Sequence, residues 1–360
     1  MIRIPRLLPV LLLAATLVLP GLGAAAATQD EIANFKGPDR QKVLEEGARK
    51  EGSVTFYTSL IVDQIVIPMK TAFEARYPFL KFEFIRGDTA QLMQRILAES
   101  RARAVKVDVI VANLAEAYKR AGLAQSFASP LMAEYPAEYV DPDRTWVAIR
   151  TQWSGLGWNT NLVKEGEEPK TWDDLLDPKW KGKMVWASSS TTGGPRLIVH
   201  FRKMWGDDKA MAFLERLKDQ NVRTLPGSVR TVLDQVIAGE APLGLNMDFT
   251  HIVISRAAGA PVAGSSPDPV LTRTGTMHVV KGGPHPHAGM LLADFLMMKD
   301  GGQKVLQESS YNPSHPAIEA GPALRWAVPR LNGKTELVIE PIEEDRLVEE
   351  SVGIYQKIFR

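Results

Sequence analysis

The chain has 360 residues, and its 43 lysine and arginine residues nearly balance 42 aspartate and glutamate residues. Such a balance argues against nucleic acid or an anionic membrane surface as the main partner. The absence of cysteine excludes a disulfide framework and a lipid anchor attached through cysteine. A chain of this length exceeds what one compact core usually organises, so two domains are expected.

The N-terminal segment 1–27 has the pattern of a secretory signal peptide. Arg3 and Arg6 give it a positive start, residues 7–19 are apolar but short for a bilayer span, and small residues at 24–27 offer a cleavage site. Cleavage near Ala27 removes two of the 43 basic residues and no acid, which leaves 41 against 42. We therefore expect a soluble, exported protein, most simply located in a bacterial periplasm.

The region before residue 146 alternates short strands with amphipathic helices. Gly52 suits a left-handed cap at the end of a helix over Asp39–Lys50, and Asp88 or Thr89 can cap the helix that follows the second strand. The predicted strands are Ser53–Tyr57, Lys81–Ile85 and Val107–Ala112. The last of these is apolar apart from Asp108, as expected for a parallel strand covered on both faces.

The stretch Trp146–Leu162 is the longest extended segment of the sequence. Val147 and Ile149 favour a strand, whereas Gly155 and Gly157 mark a bend or the close approach of another backbone. We interpret it as a strand that crosses between the two domains and lines the cleft between them. The alternative is an ordinary core strand that ends in a glycine turn.

The region after residue 162 repeats the alternation of strand and helix. Strands are predicted at Lys183–Ala187 and Ala241–Met247. Helices are predicted to begin at Thr171, at Pro195, near Lys209 and after Ser228. Repeated strand–helix units predict parallel α/β sheets with helices on both faces, and such sheets bind ligands beyond the carboxyl ends of their strands.

Several spaced motifs, taken together, resemble one known family. They are GSVTFYTS, VDVIVAN, WVAIRTQWSGLGWNTNLV, TWDDLLDPKWKGKMVWASSSTTGG and GTMHVVKGGPHPHAGMLLADFLMMKDGGQ, in that order. The chain resembles the extracellular solute-binding proteins of ABC importers over Val54 to about His315. Within that group it is similar to the branch that includes the ferric-ion-binding proteins.

The resemblance implies the type II periplasmic binding fold, in which two doubly wound α/β lobes are joined by crossing hinge strands and close over a ligand. Lobe 1 would be 28–152 plus 270–315, and lobe 2 would be 153–269 plus the tail 316–360. The return crossing would lie at Thr272–Val280, and Ile342–Phe359 has the pattern of an amphipathic helix. The implied protein is a monomer without cofactor or catalytic activity that delivers a small ligand to an ABC permease in the inner membrane.

The sequence departs from the ferric-ion branch at the residues that hold the metal. That branch places two adjacent tyrosines just after the strand that corresponds to Ala241–Met247, where this chain has Asn246, Met247, Asp248 and Phe249. The histidine that the branch often carries after the first strand is also missing. A ferric ion needs anionic oxygen ligands, so the resemblance with these departures implies a small organic anion or zwitterion instead of iron.

Eleven polar and aromatic residues are the candidate ligand contacts. Ser188–Thr192 would present hydroxyl and N–H groups at a helix start, where an anion is favoured, although these hydroxyls could only cap the helix. Arg86 could bind a carboxylate or phosphonate, or pair with Asp88. Asp248 could meet a ligand amine or cap the next helix. The full set is Tyr57, Thr58, Ser59, Arg86, Trp153, Ser188, Ser189, Ser190, Thr191, Thr192 and Asp248, of which Tyr57 and Trp153 could equally be core residues.

Two other function classes, a metal-binding protein and a hydrolase, have weaker support in the sequence. His278, His285 and His287 could form a divalent-metal cluster, but no carboxylate or cysteine lies beside them in the sequence. A secreted hydrolase would need a serine among Ser188–Ser190 with a histidine as its base, and no G-x-S-x-G, Walker or H-E-x-x-H motif occurs. No metal, no cofactor and no catalysis are therefore expected.

Overall fold

The computed structural model describes residues 27–113, 115–188 and 193–359. The strands are β1 (Ser53–Thr58), β2 (Lys81–Arg86), β3 (Val109–Val111), β4 (Val147–Asn159), β5 (Met184–Ala187), β6 (Arg223–Leu225), β7 (Leu243–Asp248), β8 (Val262–Ser265), β9 (Val270–Val279), β10 (Asn312–Pro313) and β11 (Glu336–Val338). The predicted signal segment falls on residues 1–26 and on Ala27, so nearly all of it lies outside the described residues.

The helices alternate with these strands as the sequence predicts. They are α1 (Gln29–Ala33), α2 (Arg40–Glu51), α3 (Ile67–Arg76), α4 (Thr89–Arg101), α5 (Ala115–Arg120), α6 (Gly194–Trp205), α7 (Asp207–Lys218), α8 (Val229–Ile237), α9 (Phe249–Ala257), α10 (Pro286–Met297), α11 (Lys304–Glu308) and α12 (Pro341–Phe359). Among the helices that the structure describes, none combines the length and hydropathy needed to cross a bilayer.

Short 3-10 and π-helical turns make up the remaining helical structure, and two of them replace a predicted helix. The helix predicted from Thr171 is replaced by two 3-10 segments, because Pro178 interrupts the chain after only four helical residues. The 3-10 segments are Pro130–Glu134, Ala137–Tyr139, Asp173–Leu176, Pro178–Trp180, Pro322–Ala327 and Pro329–Asn332, and π-helical turns lie at Val62–Val66 and Lys299–Gln303.

One mixed sheet runs through the molecule in the order β2-β1-β3-β9-β4-β7-β5-β6. The strand pairs on each side are parallel, between β1 and its neighbours β2 and β3 and between β5 and its neighbours β6 and β7. The central strands β9 and β4 are antiparallel to each other and to their neighbours β3 and β7, whereas the short strand β11 pairs with β9 in parallel. Two parallel α/β halves are thus joined by two long antiparallel strands.

The hydrophobic cores divide along those two strands. The N-terminal end of β4, with Val147 and Ile149, packs into the core of the first half, whereas Trp153 and Leu156 pack into cores of the second half. All thirteen residues of β4 are buried. The prediction of a strand that crosses between two lobes is therefore confirmed.

The glycines of β4 leave room for close packing, against backbone at Gly155 and against a side chain at Gly157. A Cβ atom at Gly155 would lie 2.6 Å from the carbonyl oxygen of Ser265, and one at Gly157 would lie 2.9 Å from Cγ of Met247. Both distances are too short for a real side chain, so glycine is required here for packing against β8 and β7.

Candidate functional site

A cavity of about 140 Å³ lies between the two lobes, at the carboxyl ends of the parallel strands. The loops after β1, β2 and β3 line it from the first lobe, and the segments after β6 and β7 line it from the second. Strands β4 and β9 contribute its floor. The lining residues are Ser59, Leu60, Ile61, Arg86, Asp88, Thr89, Asn113, Arg150, Gln152, Ser228, Val229, Arg230, Asp248, His251, Arg273 and Tyr311. We call this space the interlobe cavity.

Two arginines on the crossing strands form the charged floor of the interlobe cavity. Arg150 of β4 is 4% exposed and Arg273 of β9 is 1% exposed. Their Nε and Nη1 atoms are buried and have no hydrogen-bond partner among the residues that the structure describes. Burial lowers the pKa of both guanidinium groups, that of Arg273 to about 10, so both stay protonated at neutral pH.

Gly275 makes room for the first of these arginines. It pairs with Arg150 across the β4–β9 ladder, and a Cβ atom there would lie 2.6 Å from Nε of Arg150. The guanidinium carbon of Arg150 lies 5.6 Å from the ring centroid of Tyr311. The glycine and the ring together leave the guanidinium group facing the cavity without an anion beside it.

Asp248 is the buried counterion of this arginine pair. Its Oδ2 accepts a 2.6 Å hydrogen bond from Nε2 of Gln152 and lies 3.9 Å from Nη2 of Arg273. Its Oδ1 accepts from the backbone N–H of Thr250 at 2.9 Å. Burial alone would raise the pKa of Asp248, but the neighbouring cationic groups and the Thr250 N–H outweigh it and hold that pKa below its usual range.

The charge of the lining is positive on balance. Arg230 already pairs with Asp234, at 2.5 Å. The other three arginines face only the carboxylates of Asp88 and Asp248, which leaves one excess positive charge. Burial lowers the pKa of His251, so this imidazole adds no charge at neutral pH.

Three of the predicted contacts line the interlobe cavity: Ser59, Arg86 and Asp248. Arg86 is exposed and forms no ion pair with Asp88, although both residues are described; Asp88 instead caps α4 by accepting from the N–H of Gln91 at 2.8 Å. Asp248 both faces the cavity and caps α9. The interpretation as a helix cap is confirmed, and contact with a ligand amine stays a prediction. Each of its carboxylate oxygens already accepts one hydrogen bond.

The residues at the end of β1 belong to the core of the first lobe and are absent from the cavity lining. The Tyr57 hydroxyl donates to Oε1 of Glu99 at 2.8 Å and accepts from Nε of Arg95 at 3.0 Å. The hydroxyl of Thr58 donates to the carbonyl oxygen of Val111 at 3.2 Å. Tyr57 therefore follows the alternative of a core residue.

Trp153 and Ser188 were also predicted as ligand contacts but do not line the cavity. Trp153 lies on the face of β4 opposite Arg150 and Gln152, because side chains alternate along a strand, and its Nε1 donates to Glu336 at 3.4 Å. Ser188 is half-buried, donates its backbone N–H to Leu225 at 2.9 Å and does not line the cavity. Ser189, Ser190, Thr191 and Thr192 lie outside the described residues, and their anion-binding role stays a prediction.

The three histidines have separate structural partners. His278 is buried and bonds to the carbonyl oxygen of Thr145 at 3.1 Å. His285 contacts the Asp108 carboxylate at 2.9 Å and His287 contacts the Glu51 carboxylate at 2.7 Å. These carboxylates are far away in the sequence, which is why the sequence analysis missed them. Within the described part of the chain, no group of three or more histidine, aspartate or glutamate side chains could hold a metal ion.

Two arginines and one tyrosine that line the interlobe cavity were not among the predicted ligand contacts. Arg150 and Arg273 each interrupt a strand that is otherwise apolar or uncharged, in WVAIRTQW and VLTRTGTM. A charged side chain in a buried strand is costly unless it is paired or functional, so this was a usable signal. Tyr311 precedes β10 without any distinctive local pattern, and only the tertiary structure brings its phenol to the cavity.

The family model "Bacterial extracellular solute-binding protein" matches residues 105–330. Among curated proteins, Iron uptake protein A1 of Synechocystis is 27% identical over 169 residues, about half of each chain (46%). The Fe(3+)-binding periplasmic protein of Serratia marcescens is 24% identical over 72% of this chain and 69% of its own length.

Solved structures share the fold at low sequence identity. The periplasmic binding protein AfuA of Actinobacillus pleuropneumoniae, with fructose-6-phosphate bound, superposes with a TM-score of 0.72 at 20% identity and covers 86% of this chain and 99% of its own. Iron-bound HitA of Pseudomonas aeruginosa gives a TM-score of 0.69 at 20% identity, over 84% and 98%. The predicted type II periplasmic binding fold with two α/β lobes is confirmed.

Proposed function

Because this chain belongs to the bacterial extracellular solute-binding proteins, we propose that it is the substrate-binding component of an ABC importer and captures a small organic anion in the interlobe cavity. In this proposal the protein is exported to the periplasm, with a signal peptide cleaved near Ala27. It acts as a monomer without cofactor or catalytic step and delivers the anion to a membrane permease.

The main support for the proposal is that two buried guanidinium groups keep N–H groups without a hydrogen-bond acceptor among the described residues. Arg150 and Arg273 each leave Nε–H and one Nη–H group unsatisfied among the described residues. A buried donor without a partner costs roughly 1–3 kcal/mol, and more when the group is charged. Guanidinium groups match the two oxygens of a carboxylate or phosphate, so an anionic ligand would supply the missing acceptors.

The position of Asp248 bears on the kind of anion. This carboxylate accepts hydrogen bonds from Gln152 and Thr250 and lies beside Arg273, so it acts as an internal counterion. A ligand amine would have to share those oxygens with Gln152 and Thr250 and would be repelled by the guanidinium group of Arg273 beside them. We therefore propose that the ligand is purely anionic, in preference to a zwitterion that carries an amine.

A ferric ion is the second candidate, because two curated relatives and several structural neighbours carry iron in their printed names. Among the described residues, the cavity lining contains one phenol, that of Tyr311, and no pair of adjacent tyrosines. The excess positive charge of the lining would also repel a cation. AfuA, whose structure holds a sugar phosphate, is the neighbour whose printed ligand suits this lining better.

A thermal-stability screen followed by calorimetry tests the proposal. The panel contains small carboxylates, phosphate monoesters, amine-bearing analogues of each, and ferric citrate. A true ligand at one hundred times its dissociation constant raises the unfolding free energy by about 2.7 kcal/mol. We expect an organic anion to do so and to be recovered unchanged.

The variant Arg150→Gln should abolish this stabilisation, whereas Arg101→Gln, at an exposed position on α4, should keep it. Stabilisation by ferric ion alone would overturn the proposal. So would chemical conversion of the bound compound.

A further inference from the structure

The C-terminal helix α12 packs firmly on the second lobe. The ring of Phe359 lies 4.6 Å from that of Trp186, and the Tyr355 hydroxyl donates to Oγ1 of Thr224 at 2.9 Å. Along its first half, Glu350 pairs with Arg202 of α6 at 3.0 Å. By these contacts α12 is part of the second lobe.

The first half of α12 also reaches the first lobe, at helix α5. Oδ2 of Asp345 accepts the backbone N–H of Glu116 at 3.2 Å, and Glu349 pairs with Arg120 at 2.8 Å. Ile342 packs against the small apolar cluster that contains Trp146. Helix α12 is thus in contact with both lobes.

Two consecutive carboxylates stand at this junction, and both are buried. Glu344 is 3% exposed and its Oε2 lies 2.5 Å from Nη1 of Arg196 on α6. Asp345 is 7% exposed and meets the Glu116 N–H of α5, with Oδ1 3.5 Å from Nη2 of Arg196. Adjacent helical residues point about 100° apart, so one carboxylate can face each lobe.

We propose that Glu344 and Asp345 make α12 a brace that fastens the two lobes together and restrains hinge motion about β4 and β9. Glu344 holds the helix to the second lobe through Arg196, and Asp345 holds it to the first lobe through Glu116. The brace is a non-covalent contact between the lobes, additional to the two crossing strands. It is independent of which ligand the interlobe cavity binds.

The burial of this junction makes it stronger than a surface contact. An exposed ion pair contributes little because water and salt screen it, whereas the hydrogen bond between Asp345 and the Glu116 N–H is made by a buried carboxylate and is shielded from both. The pair Arg120–Glu349 joins the same two helices but has side chains 59% and 62% exposed. It therefore provides a matched control for the buried contact.

Interlobe distances measured by electron resonance test the brace in the ligand-free protein. The chain has no cysteine, so Arg101→Cys on α4 and Lys218→Cys on α7 would place one spin label on each lobe. Asp345→Ala should broaden the distribution of interlobe distances. Asp345→Asn, which keeps an acceptor oxygen, and Glu349→Ala should leave it close to that of the parent. Equal widths for Asp345→Ala and the parent would overturn the proposal.

A second measurement needs no variant and holds even where Asp345→Ala does not fold. Glu116 is the second residue of α5, and an N–H at that position has no acceptor within its own helix. Its protection against hydrogen exchange must therefore come from Asp345. We expect the Glu116 amide, followed by NMR, to exchange as slowly as the amides of the first half of α12. Exchange at the rate of an exposed amide would refute the brace.

Discussion

Replacement of Arg273 by methionine should separate ligand binding from stability. In the ligand-free protein the change removes two unsatisfied N–H groups, which cost about 1–3 kcal/mol each. It also removes the attraction to Asp248 across 3.9 Å, about 4 kcal/mol at an effective dielectric constant of 20. The two effects nearly cancel, so we expect the unfolding free energy to change by less than about 2 kcal/mol.

The affinity for the organic anion should respond quite differently to the same change. Loss of a charge-assisted hydrogen bond costs about 1.5–3 kcal/mol, so the dissociation constant should rise roughly ten- to 150-fold. Urea denaturation measures the stability, and calorimetry with the anion found in the screen measures the affinity.

Arg40 provides the matched control for this experiment. It is also buried, at 8% exposure, but both oxygens of Asp294 accept from its guanidinium group. Arg40→Met leaves that carboxylate without its partner and should cost about 3–5 kcal/mol without changing ligand affinity. If Arg273→Met is equally destabilising and still binds the anion normally, Arg273 is a structural arginine and the reasoning fails.

Three further predictions concern the cavity and the brace. Asp248→Asn removes a negative charge from the cavity, so calorimetry should show binding of a purely anionic ligand up to about tenfold tighter, about 1.4 kcal/mol. Weaker binding would instead indicate a ligand amine. Gly275→Ala should displace Arg150, lower the unfolding free energy in urea by about 1–3 kcal/mol and weaken ligand binding. The control Gly353→Ala should do neither, because a Cβ atom at this exposed position meets no atom within 4 Å. Burial raises the pKa of Asp345 from 3.8 to about 7, so the folded state keeps a proton that the unfolded chain loses between those values. The unfolding free energy should therefore fall as pH rises from about 4 to 7, and Asp345→Asn should remove up to about 1.4 kcal/mol per pH unit of that slope; an unchanged slope would contradict it.

The features that the sequence predicted well depend on neighbours along the chain. The cap of α4, predicted at Asp88 or Thr89 and found at Asp88, and the left-handed Gly52 involve residues within a few positions of each other. The strand β4 was recognisable from its composition, and Gly155 correctly indicated the close approach of another backbone, whereas Gly157 packs against the Met247 side chain. Such signals reside in backbone propensity and local hydrogen bonding, so they do not require knowledge of the tertiary fold.

The sequence by itself determined the alternation of strands and helices around β1, β2, β3, β5 and β7, the crossing segment and, through the spaced motifs, the family. It did not predict the short strands β6, β8, β10 and β11. Only the tertiary structure decided which side chains meet in the interlobe cavity: it brought Arg150, Arg273 and Tyr311 together and turned Tyr57 and Trp153 into packed residues. Strand periodicity shows which side chains share a face of the strand. Whether that face meets the cleft depends on pairing between segments more than 100 residues apart, as for Arg150 and Gly275. That pairing is a property of the whole fold, because it is selected by burial of both lobes' cores at once.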